Sequence, residues 1–355
     1  MSSQNIGDKL IGSIGTLLMG ILVFLGSFVI LFMTAGRVDY SIVSQTAVSP
    51  ENVTETKDFV YVTDKLIAPE KIGDGLYLES GDYVAINRKA EMYAWVEDSS
   101  VENEKTYYKY DTAWVENPSD SAEFDQTKYH ENPSMDIDGL SEVAKNVRLG
   151  EYTIDLESVR LPGFDVLDLK EDMVKLDRFS TLESNDGVDY IYIGRGSWGE
   201  PVVGDVRISY SVIPSGKKVT VFGMIEDEEI VQHYDHEKQE LFRIFLGVKQ
   251  NAAATLSGEY GAAGWMGRIL GFLVMWIGLM MTLKPLSVSF ELIPFVGDIG
   301  KKALGIVTFV IALVITIISY LIMAILHSVL GLVLVALAAV AIVGYLYMNR
   351  RAVKK

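Results

Sequence analysis

The residues best suited to chemistry in this chain are its four histidines, two of them in His233-Tyr234-Asp235-His236-Glu237. Two imidazoles three residues apart, with acids beside them, could hold a divalent metal on one face of a helix. No thiolate can join them, because the chain has no cysteine. A solvated polar turn is the expectation. His130, in Tyr129-His130-Glu131-Asn132-Pro133, reads as a structural histidine in a turn fixed by Pro133 rather than a proton carrier. Gly194-Arg195-Gly196-Ser197-Trp198-Gly199 follows a strand-like run. It lacks the G-x-x-x-x-G-K and G-x-G-x-x-G spacings, so it reads as a loop and not a phosphate cradle. Glu226-Asp227-Glu228-Glu229 reads as a solvated hairpin tip rather than a calcium site. Residues 187–216 hold no Ser-His-acid arrangement. The lack of cysteine also excludes disulfides, iron–sulfur ligation and thiol nucleophiles. The expectation is therefore no catalytic residue, no metal and no cofactor, in a protein that is not an enzyme.

The elements that must position these residues fall into two materials. Of 355 residues 49% are hydrophobic, and the mean hydropathy is +0.24. The apolar share is concentrated at the ends, in the uncharged runs Thr16–Met33, Ile269–Leu283, Gly305–Ile325 and Leu330–Met348. A helix needs about 20 mainly apolar residues to cross the hydrocarbon of a bilayer. Four transmembrane helices are expected, with some 230 mostly polar residues between the first and second. The first run is too long for a signal-peptide core of about 7–15 residues and is read as a retained span. Net charge is −16, and an acidic domain repels phosphate backbones, so no nucleic acid is expected as partner.

Basic residues set the expected orientation. Asn349–Lys355 carries Arg350, Arg351, Lys354 and Lys355, and the loop between spans two and three carries Lys284, Lys301 and Lys302. Both termini then face the cytoplasm and the large domain faces out or into a lumen. Arg37 lies on the other side, where it can snorkel to the headgroups. The spans contain almost nothing ionisable, which counts against a pump and weakens the case for a channel. Small residues recur at helix-contact spacing: Gly12, Thr16 and Gly20; Gly267 and Gly271; and Gly331, Ala338, Ala341 and Gly344. Such patterns serve close packing, within one bundle or between protomers.

The middle reads as a β-rich α+β domain. Phe59–Val62, Tyr83–Ile86, Glu91–Val96, Tyr190–Ile193, Val206–Val212 and Val219–Gly223 are rich in strand formers. Pro214-Ser215-Gly216-Lys217 reads as a hairpin turn, and Asp138–Val147 as helical. Gly75–Leu78 followed by Arg88–Val96 faintly echoes Tyr190–Ile193 followed by Asp205–Val212. Glu237–Ser257 reads as a helix on the spacing of Leu241, Ile244, Phe245 and Val248. It carries the chain back to the membrane at Trp265, and Pro285–Asp298 reads as an interfacial segment.

Several blocks resemble one family. Tyr260-Gly261-Ala262-Ala263-Gly264-Trp265-Met266, Gly278–Thr282 and Leu292-Ile293-Pro294-Phe295-Val296-Gly297-Asp298 resemble the transmembrane protein 43 (LUMA) family. So do Arg88–Glu97 with Glu91, Tyr93 and Trp95, Tyr108–Trp114, Phe124-Asp125, His130–Ser134 with Asn132 and Pro133, and Gly204-Asp205 through Tyr210. Met33-Thr34-Ala35-Gly36-Arg37 departs from the family's aromatic-Asn-Glu-Gly-Arg block, keeping Gly-Arg alone, which fits a prokaryotic or distant member. The resemblance implies a four-span protein with a large lumenal domain that self-associates and organises membrane complexes. It implies the endoplasmic reticulum and inner nuclear membrane for eukaryotic relatives, or a bacterial inner membrane.

The resulting expectation is a multi-pass helical membrane protein. Residues 1–36 form the tail and first span, 37–262 the domain, 263–284 the second span and 285–303 the cytoplasmic interfacial segment. Residues 304–326 and 328–349 are the last two spans, and 350–355 a basic tail. The function read is a non-enzymatic scaffold whose partners are the lipid bilayer, other copies of itself and other membrane proteins. The rivals are a channel or lipid-binding protein and an ectodomain hydrolase.

Overall fold

The computed structural model describes residues 6–54, 58–102, 105–233, 241–285 and 297–327. Internal contacts divide the chain into a unit of Ile42–Ala254 and a unit of Met1–Ser41 with Thr255–Lys355.

In the first unit the strands, in chain order, are β1 (Val60–Ile67), β2 (Tyr83–Glu102), β3 (Lys105–Val115), β4 (Leu140–Val143), β5 (Val147–Leu149), β6 (Tyr152–Ile154) and β7 (Asp165–Val166). They continue as β8 (Ser180–Asn185), β9 (Val188–Ile193), β10 (Val206–Pro214), β11 (Lys217–Glu226), β12 (Glu229–Val231) and β13 (Arg243–Leu246). Two sheets result. In one, β1, β5, β6, β12 and β11 pair in a closed circuit, with β13 added to β11. Its core is built from Leu66, Val147, Leu149, Val219, Val221, Ile230 and Ile244. The other sheet runs β3-β2-β10-β9-β8, with β4 against β2 and β7 against β10.

Strand β10 shows why this sheet forms. Val206, Ile208, Tyr210 and Val212 are buried while Arg207, Ser209 and Ser211 alternate with them, the period-two pattern that gives a strand one apolar face. That face meets Ile86, Ala90, Met92 and Ala94 of β2. Strand β2 serves both cores, since its Val84 and Ala85 belong to the first. Beyond Glu97, among the described residues, it pairs only with β3, as a two-stranded arm.

Most expected strands are found, and the two runs expected around Ile86 and Trp95 fuse into β2. Three expectations are corrected. Asp138–Val147 is not helical but holds β4 and the start of β5. Its apolar residues fit a helix by spacing, but β4 covers the edge of β2 at Ala85–Arg88. Within Glu237–Ser257, residues 237–240 lie outside the described set, and Arg243–Leu246 is β13, paired with β11. Gly247 at φ 85° ends the strand in a conformation costly for other residues, and the helix starts only at Lys249. Pro214–Lys217 turns the chain, but β10 and β11 enter different sheets, so they form no hairpin. Both edges of β10 are already taken, by β2 on one side and by β9 and β7 on the other. The helical share of the domain thus shrinks to 3-10 turns and a few residues of helix. The expected tip at Glu226–Glu229 does join paired strands, β11 and β12. The faint echo is not matched in structure: Tyr190–Ile193 is a strand, whereas Gly75–Leu78 is a loop apart from one bridge at Leu78.

The second unit is helical: α1 (Ile6–Ala35), α3 (Lys249–Thr282) from Thr255 onward, and α4 (Gly297–His327), with a short α2 (Tyr40–Gln45) opening at its boundary. Among the described residues three helices are long and apolar enough to cross a membrane. The expected domain boundary at 262 falls inside α3, and residues 297–303 of the expected interfacial segment are already helical. The fourth expected span, the basic tail and residues 286–296 with Pro294 lie outside the described residues.

Candidate functional site

Strand β2 outruns β10, and its uncovered edge organises a cluster. Past the last β10 pair, Val206 with Met92, the Tyr93 N–H donates to Asp205 O at 2.8 Å and Tyr93 O accepts from Gly204 N–H at 2.9 Å. Two residues on, a side chain takes over the role of a strand. Asn132 Oδ1 accepts from Trp95 N–H at 2.7 Å, and Asn132 Nδ2 donates to Trp95 O at 3.0 Å. Nδ2 also donates to Ser119 O at 3.2 Å, and Asn132 N–H to Ser121 Oγ at 2.6 Å. An amide carries one acceptor and two donor hydrogens, and here both ends are used.

His130 is held by the same segment. Its ring stacks on Tyr110 at 3.8 Å and 7° and meets Trp95 edge-on at 4.7 Å. Its Nδ1 lies 3.0 Å from Gln126 O. Tyr110 donates to Glu97, and Glu97 Oε2 also accepts from Asp125 N–H at 2.8 Å. Pro133 rests against Gly204 (φ 100°), where a Cβ would come within 2.9 Å of the proline ring.

Asp205 is buried and fills the glycine loop. Its carboxylate accepts from Arg195 N–H (2.8 Å), Gly196 N–H (3.1 Å), Val202 N–H (2.8 Å) and the Tyr192 hydroxyl. A Cβ on Gly194 or Gly196 would collide with it. Successive backbone N–H groups make an anion-binding concavity, and the anion bound here is the protein's own. Burial disfavours the charge, but these hydrogen bonds outweigh it and hold the carboxyl below the ordinary carboxylate range. The Tyr192 hydroxyl is pushed up, first by burial and then by Asp205.

On the same sheet face Glu91, also buried, accepts from Arg207 Nε at 2.7 Å and Lys89 Nζ at 2.9 Å. Burial opposes its ionisation, and the two cations reverse the effect and lower its pKa. Arg207 lies over the rings of Trp114 and Tyr190, at 4.8 and 5.0 Å. Trp198 stacks on Trp114, and Tyr93 packs beside it. A third carboxylate, Asp74, accepts from Arg88 at 2.9 Å, from the Tyr210 hydroxyl, and from three backbone N–H groups at Leu76, Tyr77 and Leu78.

Glu91, Tyr93, Trp95, His130, Asn132, Pro133, Gly204 and Asp205 are therefore one contiguous constellation around the edge of β2. A family profile described as transmembrane protein 43 matches residues 92–329. The chain belongs to the transmembrane protein 43 family. It is 25% identical to transmembrane protein 43 of Mus musculus over 311 residues, covering 76% of this chain and 75% of that protein. The Rattus norvegicus protein is 26% identical over 314 residues and the Homo sapiens protein 25% over 316, with the same coverage. No solved structure matches.

For this member of the transmembrane protein 43 family the remaining candidates divide. His233 is buried against Phe59, while 234–237 lie outside the described residues. Among the described residues no group of three or more His, Asp or Glu could hold a metal ion. Gly20, Gly267 and Gly271 lie at the crossing of α1 and α3, where a Cβ would strike Met281, Thr34 and Leu31 respectively. Gly278, against Phe24 and Gly20, belongs with them and was not among the expected residues. Gly12 and Thr16 also lie on α1. Trp265 is exposed, with Gly264 beside it. Sequence reasoning also missed the Asp74–Arg88–Tyr210 and Arg207–Trp114 clusters. Their partners are far apart in the chain, and no spacing rule reaches them.

Proposed function

We propose that this protein is a non-enzymatic membrane scaffold. Its helices anchor it with both termini in the cytoplasm, and its β-rich domain self-associates and gathers other membrane proteins on the far side. The observation that carries the reading is the bare arm of β2 and β3. Beyond Glu97 the arm has no third strand among the described residues, and its Val101, Tyr107 and Tyr108 are 72%, 53% and 42% exposed. A two-stranded ribbon is marginal alone in water, and an open edge with exposed aromatics recruits a further strand. A second copy fits that edge. In antiparallel pairing centred on Tyr110, Lys109 of one β3 faces Asp111 of the other, twice.

The potentially reactive groups argue the same way. Asp74, Glu91 and Asp205 spend their hydrogen-bonding capacity on internal partners, and the His130 ring is packed between Tyr110 and Trp95 with its Nδ1 on Gln126 O. The cysteine-free chain allows a direct test, with Tyr110→Cys, the position that faces its own copy in this register, as the single thiol in native membranes. Mild oxidation should give a disulfide-linked dimer, and Asp111→Lys should diminish it. A monomer under all oxidising conditions would refute pairing through β3.

A further inference from the structure

Arg268 lies on α3 where the uncharged run begins, with Ile269, Leu270, Phe272 and Leu273 following it. Its Nη2 donates to Tyr320 Oη on α4 at 2.7 Å. Its guanidinium lies over the Tyr320 ring at 4.3 Å and the Trp265 ring at 5.2 Å. Its Nε is buried and has no hydrogen-bond partner among the described residues. Two aromatic faces and one neutral hydroxyl orient this cation without neutralising it. Removing such a charge from water without a counter-charge is costly.

Among the described residues of the helical unit, no carboxylate is placed to neutralise it. The acids of the helical unit are Asp8, Asp39, Glu259, Glu291 and Asp298. Asp8 begins α1 and Asp298 begins α4, at the ends remote from Arg268, given that Gly20 of α1 meets Thr282 and Thr308 of α4 meets Trp276. Glu291 lies outside the described residues. Asp39 accepts from Ser41 N and Oγ at 2.9 and 2.6 Å. Glu259 is nine residues up α3, about 14 Å along the axis at 1.5 Å per residue. The apolar run at 330–348 carries no acid at all.

The described part of the helical unit supplies no counter-charge, and the surroundings are built to admit one from the membrane. Trp265 and Ile269, flanking Arg268 on α3, are 64% and 54% exposed on the apolar surface that faces lipid. Gly264, one turn above, leaves the approach open: even a Cβ there would lie 3.8 Å from Arg268 Nη2. Tryptophan and tyrosine favour the headgroup level, and a guanidinium presents a fork that fits two phosphate oxygens. We propose that Arg268, framed by Trp265, Tyr320 and Gly264, binds the phosphate of an anionic glycerophospholipid from the adjoining leaflet.

The test uses the full-length protein in nanodiscs of phosphatidylcholine with phosphatidylglycerol, then native mass spectrometry of the lipids retained. Wild type should hold phosphatidylglycerol in preference, and Arg268→Gln should lower that retention about tenfold, as for one charged contact of roughly 1.4 kcal/mol. Arg268→Lys, which keeps the charge and loses the fork, should fall between them. Gly264→Leu leaves the arginine in place and closes the approach, so it tests the site should Arg268→Gln fail to fold; it too should lose the lipid. Equal retention by wild type and Gly264→Leu, or by wild type and folded Arg268→Gln, would overturn the assignment. Displacement of the lipid by millimolar inorganic phosphate would also overturn it, by making the site one for free phosphate.

Discussion

At the scale of single residues the domain keeps its charges by surrounding them with donors. Asp205 and Asp74 have carboxyl pKa values below their ordinary range because hydrogen bonds overcome the burial that would raise them. Between the lowered folded values and the unfolded value near 4, the unfolded chain binds more protons than the native one. Stability from these groups is therefore present in full above about pH 4 and is lost as pH falls through the folded values. Asp205→Asn should cost on the order of 2–3 kcal/mol at pH 7, since it sets an amide NH2 against donors. Thermal unfolding followed by circular dichroism should show the gap between wild type and variant narrowing below about pH 4. A gap independent of pH would show that Asp205 is not ionised in the fold. Asn132 gives a second case. Asn132→Asp preserves shape but points a carboxylate oxygen at Trp95 O and Ser119 O, where Nδ2 now donates. It should destabilise at least as much as Asn132→Ala, by about 1–3 kcal/mol, in the same unfolding measurement at neutral pH.

At the scale of elements, glycines decide how close helices come. A Cβ on Gly278 would lie 2.5 Å from Phe24 N and 2.8 Å from Phe24 Cα, backbone atoms that cannot rotate away. Gly278→Val should force α1 and α3 apart and lower the melting temperature in detergent, at a cost of about 1–3 kcal/mol. Gly261→Ala meets nothing within 4 Å and should raise it, by up to about 1 kcal/mol. The spacing of Gly20, Gly267 and Gly271 made that seam legible in the sequence, but Gly278 stood outside the pattern because it follows Gly271 by seven residues, off the four-residue repeat. The strands divide in the same way. β1, β9, β10 and β11 announced themselves through β-branched and aromatic residues, whereas β4 and β13 have apolar residues at helical spacing and are strands because β2 and β11 offered open edges. The candidate site was legible only through its family blocks. Gly194–Gly199 has the glycines of an anion loop, and nothing local shows that its anion arrives later as Asp205.

At the scale of the molecule, the two cores of the β-rich unit close within Ile42–Ala254. The unit's chain ends are also tied together. Lys249 Nζ donates to Ala47 O at 2.7 Å and lies 4.2 Å from the centre of the Tyr61 ring. Closely placed termini mark a piece of chain that can be excised without opening its core. The helical unit is of the opposite character, with Leu18, Leu22, Val29, Ile306 and Ile317 each more than half exposed along α1 and α4. Residues 42–254 expressed alone should therefore be soluble without detergent and give a β-type circular dichroism spectrum with one cooperative melt, while the whole chain needs a detergent or lipid environment. Size-exclusion chromatography of the excised unit then separates folding from association. A dimer that Asp111→Lys converts to a monomer places self-association in β3. An aggregate, or a spectrum without strand signal, would mean that the domain depends on the helices for its fold, contrary to the closure of its two cores.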